Sequence, residues 1–201
     1  IVDTIERTGK HLTVTFNYRY APRSSKVKEV LASGAIGDIT GIHFEWLLDT
    51  RHGADYFRRW HRDKINSGGL LVHKATHHFD LINWWTGARP DTVYAMGRLA
   101  FYGRHNAERR GVRKFYTRAH GSEVAKDDPF ALDLAGHERL KGMYLDAEHE
   151  DGYQRDQSVF GYGISIEDNM VVLVRYDTKA LMSYNLHAHA PWEGFRVMLN
   201  G

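Results

Sequence analysis

The chain has 201 residues, 42% of them hydrophobic and 26% charged, with 27 Lys and Arg against 25 Asp and Glu and no cysteine. That length allows one domain with a sizeable core or two small ones, and the composition is that of an ordinary globular chain. A net charge of only +2 gives no global case for a nucleic-acid partner, no apolar run is long enough to cross a bilayer, and disulfides, thiolate metal sites and cysteine nucleophiles are excluded.

Residues 1–8 read as the tail of a helix closed by Gly9. Residues 11–18 alternate and are rich in Val, Thr, Phe and Tyr, which predicts a strand. Pro22 opens a helix through about Ser33, with Val27, Val30 and Leu31 on its buried side. Gly34, Gly37 and Asp38 turn the chain into a strand over 39–48. The polar and aromatic residues 51–66 read as a loop.

The next segment concentrates the chemistry. From Gly68 to Trp85 it reads as a single helix with Ser67 as N-cap. On a continuous helix His73, His77, Asp80 and Trp84 share one stripe, and Leu71, Ala75, His78, Ile82 and Trp85 form an apolar one suited to a core. A histidine on an amphipathic helix is often only a structural, hydrogen-bonded residue. Three histidines within six residues, beside Lys74, repel one another when charged, a cost that a ligand or a catalytic role compensates. The polar stripe is therefore a candidate active-site wall.

Gly87 and Pro90 end the helix, and 92–101 reads as a strand. Residues 103–151 are polar, with few aliphatics and a short helix near 135–145. Excursions this long tend to be lids or binding loops. The basic residues at 104–118 lack an aromatic stacking platform and read as a solvated loop. Strand patterns return at 158–166 and 169–176, and Asp177-Thr178-Lys179 turns into a hairpin partner at 180–189. A last strand covers 193–199. Along 180–189, Leu181, Ser183, Asn185, His187 and His189 face one way, and Met182, Tyr184, Leu186 and Ala188 the other. Early helices and late strands give an α+β class, an open, mostly antiparallel sheet with helices on one face, in one domain over 1–201.

Three motifs occur in order: Thr15-Phe16-Asn17-Tyr18-Arg19-Tyr20-Ala21-Pro22, Gly34-Ala35-Ile36-Gly37-Asp38, and Gly68-Gly69 leading to His77-x-x-Asp80. Together they resemble the C-terminal domain of the glucose–fructose oxidoreductase / inositol dehydrogenase (Gfo/Idh/MocA) family. The resemblance implies a dehydrogenase whose NAD or NADP is held mainly by a separate N-terminal dinucleotide-binding domain. No Gly-x-Gly-x-x-Gly occurs here; Gly161-Tyr162-Gly163 lacks both the third glycine and a following helix. The expectation is thus that this chain is a fragment of a longer, cytoplasmic oxidoreductase and is inactive alone, since the family's upstream Glu-Lys-Pro lysine is also absent.

By the same resemblance His77 is the general base for a secondary hydroxyl of a sugar or cyclitol, a role suited to a group titrating near neutrality. The family commonly carries an Asp four residues earlier; here that position is His73, expected to orient His77 or bind substrate, which leaves Asp80 as the carboxylate of the set. Lys74, Arg19, Tyr18, Trp60 and His61 are the candidate substrate contacts, Arg19 being equally suited to an interdomain salt bridge. Arg62 lies in the same loop as Trp60 and His61, and Asp151-Gly152-Tyr153 is positioned to close over the cleft. The family also implies a homodimer or homotetramer through the open sheet face. Two rivals remain: a divalent-metal site built from His73, His77, His187 and His189, and a non-catalytic assembly module using the stripe Met182–Tyr184–Leu186.

Overall fold

The computed structural model describes residues 1–201. Five strands, β1 (Gly41–Asp49), β2 (Pro90–Arg98), β3 (Asn169–Tyr176), β4 (Leu181–Ala190) and β5 (Gly194–Asn200), form one sheet in the order β2-β3-β4-β1-β5. Only β1 and β4 pair in parallel; the other three pairings are antiparallel. Burial alternates along the three inner strands as their sequences do. Ile42, Phe44 and Trp46 of β1, Met170, Val172 and Val174 of β3, and Met182, Tyr184, Leu186 and Ala188 of β4 are buried beneath helices. The opposite face is open, and the expected α+β architecture stands.

The helices that cover the sheet are held by specific contacts. Helix α1 (Val2–Thr8) ends at Gly9, whose φ of 62° is the left-handed conformation that glycine tolerates. Helix α2 (Pro22–Ala32) half-buries Val27 and Leu31, while Val30 faces solvent. Trp85 donates its indole N–H to the Ser24 carbonyl at 2.8 Å, and Lys28 caps the Trp84 carbonyl at 2.7 Å.

Four local expectations give way. Residues 11–15 run exposed and Phe16 half-buried with no neighbouring strand, and 17–20 form a 3-10 turn, because alternation makes a strand only where a ladder accepts its hydrogen bonds. Residues 51–66 are largely helical instead of a loop: α3 (Thr50–Arg58), a turn at Trp60–Arg62, and α4 (Lys64–Ser67). The helix expected over 68–85 is two, α5 (Leu70–His73) and α6 (Thr76–Thr86), with Gly69 rather than Ser67 preceding the first. Residues 158–166 make turns with one isolated bridge nearby, Arg118 to Gln157, although Val159 and Ile166 are fully buried.

The excursion after β2 has short elements only: α7 (Arg104–Arg109) and turns at Val124–Asp127, Glu138–Leu140, Lys141–Leu145 and Glu148–Asp151. Buried Asp156 pins it by accepting from the His120 N–H at 2.7 Å and pairing with Arg118, which also grips Glu148. The stripe Met182–Tyr184–Leu186 lies in the core, so it is not an assembly surface. No helix is long and apolar enough to cross a membrane.

Candidate active site

Strand β1 delivers the chain straight into α3. Asp49 caps that helix, its carboxylate accepting from the N–H groups of Arg51 and His52 at 2.9 and 2.8 Å. Gly53 lets α3 cross β4 closely: a Cβ there would lie 1.8 Å from the Ala188 carbonyl oxygen. This crossing fixes His52 and Tyr56 at the edge of the sheet beside Trp60 and His61. Glu193, just past β4, locks the corner; it accepts from the Asp49 N–H at 3.0 Å and pairs with His52 at 2.7 Å. The other nitrogen of His52 lies 3.3 Å from the Tyr56 hydroxyl.

A continuous wall of rings and cations follows from this corner. His52 stacks on Tyr56 with 5.5 Å between centroids, and Tyr56 meets His61 and His73 edge-on, each at 5.7 Å. Trp60 stacks on His61 at 3.7 Å, and His61 faces His73 at 4.1 Å. Lys74 places its ammonium 5.3 Å over the Trp46 ring, a cation–π arrangement, and Trp46 meets Tyr18 at 5.8 Å. Tyr18 and Phe16 then flank His77 at 6.4 and 6.2 Å.

The break between α5 and α6 decides which histidine goes where. The N–H groups of Lys74 and Ala75 both reach the Leu70 carbonyl, so α6 restarts in a different phase. His73 therefore leaves the expected stripe and joins Tyr56, Trp60 and His61. His77, Asp80 and Trp84 remain together on the side of α6 that residues 16–19 cover. Asp80 does not serve His77: it takes a bidentate pair from Arg19, with Nε to Oδ2 at 2.7 Å. Arg19 is thus an intrachain anchor, placed over Trp84 at 5.8 Å.

Burial sets the charge state of the wall. Burial above all, then His73 and Arg59, pushes His61 down to about 4. Burial, then Arg59, Lys74 and His77, lowers His73. Lys74 is lowered by burial against the pull of Glu193, and burial pushes Tyr56 up to about 12. At neutral pH His61 and His73 are neutral imidazoles able to accept hydrogen bonds. Three polar atoms of the wall, His77 Nδ1, His61 Nδ1 and Trp46 Nε1, are closed off without a hydrogen-bond partner. For His77 this leaves Nε2 as the nitrogen free to meet a substrate.

Of the residues expected from sequence, Tyr18, Lys74, Trp60, His61, His73 and His77 come together. Arg62 does not; it is buried behind them, donating to Gln157 and the Tyr162 carbonyl. Tyr153 is brought beside Arg59 and the Trp60 backbone. His187 and His189 lie on the open side of β4, away from α5 and α6, and His189 stacks on Phe101 at 5.0 Å. No three His, Asp or Glu side chains are arranged to hold a metal ion, so the four-histidine site does not form. His52, Tyr56, Arg59 and Glu193 are wall residues that sequence reasoning missed; the i,i+4 pair His52/Tyr56 behind the cap Asp49 was the one local signal.

Comparison with known proteins bears on the family and the fold. Residues 28–201 match the Gfo/Idh/MocA model described as "Oxidoreductase family, C-terminal alpha/beta domain". YteT of Bacillus subtilis (strain 168), named as an oxidoreductase, is 41% identical over 209 residues, covering 100% of this chain and 49% of the relative. The chain thus spans about half the length of that protein. Among solved structures, the WlbA dehydrogenase of Bordetella pertussis, in complex with NADH and UDP-GlcNAcA, superposes with a TM-score of 0.59 at 18% identity, over 100% of this chain and 44% of the other. Myo-inositol 2-dehydrogenase of Lactobacillus plantarum gives 0.58 at 15%, over 100% and 42%. At these identities the two structures show the shared fold.

Proposed function

This chain belongs to the Gfo/Idh/MocA oxidoreductase family, whose C-terminal α/β domain it carries, and from that premise we propose that its histidine wall is the substrate side of an NAD(P)-dependent dehydrogenase acting on a secondary hydroxyl of a sugar or cyclitol. The observation that carries this reading is His77: a half-buried imidazole between Phe16 and Tyr18, with one nitrogen closed off and the other free.

The residues present fit the alcohol and not the dinucleotide. Neutral His61 and His73, Lys74 and the Tyr18 and Tyr56 phenols offer donors and acceptors for a polyhydroxylated ligand, and the ring faces of Trp60 and Trp46 offer apolar surface for its C–H faces. No strand, glycine turn and helix cradle exists for a pyrophosphate, so no residue here is assigned to hold the cofactor. When bound, the nicotinamide is the hydride acceptor. His77 Nε2 takes the hydroxyl proton, and His61, held neutral by burial, and His73, lowered by partial desolvation and neighbouring cations, fix the neighbouring hydroxyls. By the same reading residues 1–201 alone turn over no alcohol; any nicotinamide-dependent turnover by them contradicts it.

The test is nicotinamide reduction by the full-length protein across sugars and cyclitols, wild type beside His77→Ala. Turnover retained within several-fold in the variant removes His77 from the role. Assembly through the open sheet face belongs to the same proposal. Tyr94, Met96, Leu173, Leu181 and Met198 are each more than half exposed on that face. Leu173→Asp is expected to shift the oligomer toward monomer in sedimentation; an unchanged mass refutes that surface.

A further inference from the structure

Behind the Trp60–His61 ledge lies a cationic cluster with too few acceptors. Three guanidiniums share one carboxylate: Asp55 pairs with Arg155 at 2.5 Å, Arg59 at 3.2 Å and Arg58 at 3.5 Å. Arg58 has a further acceptor in the Phe130 carbonyl at 2.9 Å. Arg155 has none. Its side chain is only 11% exposed, and both Nε and Nη1 are closed off without any hydrogen-bond partner. His61 Nδ1, in the same neighbourhood, is closed off and unpartnered too, and the Tyr153 hydroxyl is buried beside Arg59 and the Trp60 backbone with no hydrogen bond of good geometry. Buried donors left unpaired are costly, and an uncompensated buried guanidinium more so.

We propose, resting on the reading of the wall as a substrate site, that the substrate carries an anionic group, a carboxylate or a phosphate, seated against Arg155, Arg59 and Tyr153. Hydroxyls of a neutral polyol supply acceptors but leave the charge excess of three guanidiniums over one carboxylate. An anion supplies both, and Arg155, whose Nη2 is taken by Asp55, still has Nε and Nη1 donors on its other edges to give it. The seat adjoins the wall, since Arg59 directly precedes Trp60, which stacks on His61 at 3.7 Å. Tyr144 and Tyr153, 6.4 Å apart, roof it, with the Arg155 guanidinium 5.5 Å from the Tyr144 ring. The ligand therefore enters by lifting this edge of the excursion.

The experiment uses the full-length protein and matched ligands: glucose, galactose and inositol against glucuronate, galacturonate, glucose 6-phosphate and an inositol monophosphate, at constant ionic strength. Thermal stabilisation reads binding, and nicotinamide reduction reads turnover. The expected result is a preference of about 10- to 100-fold for an acid or phosphate over its neutral parent, the scale of one charge-assisted contact. Which arm shows it distinguishes carboxylate from phosphate. Arg155→Lys, which keeps a cation for Asp55 but loses the free Nε and Nη1 donors, is expected to cut the preference, and Tyr153→Phe to cut it less. Equal or weaker binding of every anionic ligand overturns the proposal, as does an Arg155→Lys change that lowers neutral and anionic ligands alike. Anion-selective binding without turnover leaves the seat standing and sinks the dehydrogenase reading; turnover of neutral polyols without anion preference does the reverse.

Discussion

At one end of the wall His77 sits between Phe16 and Tyr18, with its helix neighbour Asp80 committed to Arg19. At the other, His61 and His73 face each other at 4.1 Å among Trp60, Tyr56 and Arg59. The same side chain occupies both ends under different restraint. At the second end His61 is buried and pushed down to about 4, and His73, itself exposed, is lowered by partial desolvation and then by Arg59, Lys74 and His77, which suits hydrogen-bond acceptance and opposes proton uptake. At the His77 end one nitrogen is sealed and the other open, which suits proton exchange with a ligand. Position in the fold, not residue type, sets the two environments apart.

The sharpest way to break this division is kinetic. In the full-length protein His77→Ala is expected to lower kcat about 100- to 10,000-fold, the usual cost of losing a general base. His73→Ala, which removes a hydrogen-bond acceptor and some packing, is expected to act mainly on KM, by about ten-fold. Equal effects of the two variants on kcat would erase the distinction.

Next in size is acid sensitivity. His78 stacks on Trp46 at 4.0 Å, bonds the Tyr184 hydroxyl at 2.7 Å, and is pushed down to about 3 by burial, then by Lys74 and His77. His61 stands at about 4. In the unfolded chain both take a proton near the ordinary value of 6.5. Below that pH the unfolded state therefore binds more protons than the folded one. The stability is present in full above it and is lost as pH falls toward 4, by on the order of a few kcal/mol. Urea midpoints at pH 7 and pH 4.5 measure the loss. His78→Phe is expected to reduce the slope; an unchanged slope assigns the loss to other groups.

A smaller effect separates the ends by anchoring. Asp80→Asn leaves Arg19 without its charged partner, and because Arg19 is 36% exposed and can be hydrated the cost is about 1 kcal/mol in chemical denaturation, although Asp80 itself is only 9% exposed. The same change is expected to raise KM, because Arg19 holds residues 16–19 over His77. A KM that does not move would mean that packing of Phe16 and Tyr18 alone keeps them there.

Legibility from sequence followed the range of the forces involved. The face assignment of β4 was legible residue by residue, because a period of two is local and one face is buried. The break at Lys74 and Ala75 was not, since both are good helix formers and the interruption serves fully buried Ala75 against the core. Helix α3 was hidden by Gly53, which weakens a helix in isolation but is required by the Ala188 carbonyl across the sheet. Glu193 carried no signal at all: its partners Asp49 and His52 lie more than 140 positions away. His73 and His77 were therefore found by type and spacing, while their separation into two environments depended on contacts that only the fold creates.

The finest test of that separation is Lys74→Met. Lys74 is half-buried over Trp46 and lowers both His73 and His78, but in each the first cause is burial, and for His73 Arg59 precedes Lys74. Removing the ammonium while keeping an apolar chain of similar length should raise the His73 titration point yet leave it below the ordinary histidine value. NMR titration of the ring resonances reads this directly. A return of His73 to the ordinary value would mean that the Lys74 charge, and not desolvation, lowers it. A partial rise assigns the rest of the shift to the packing of exposed His73 against His61, Tyr56 and Trp60 and to Arg59.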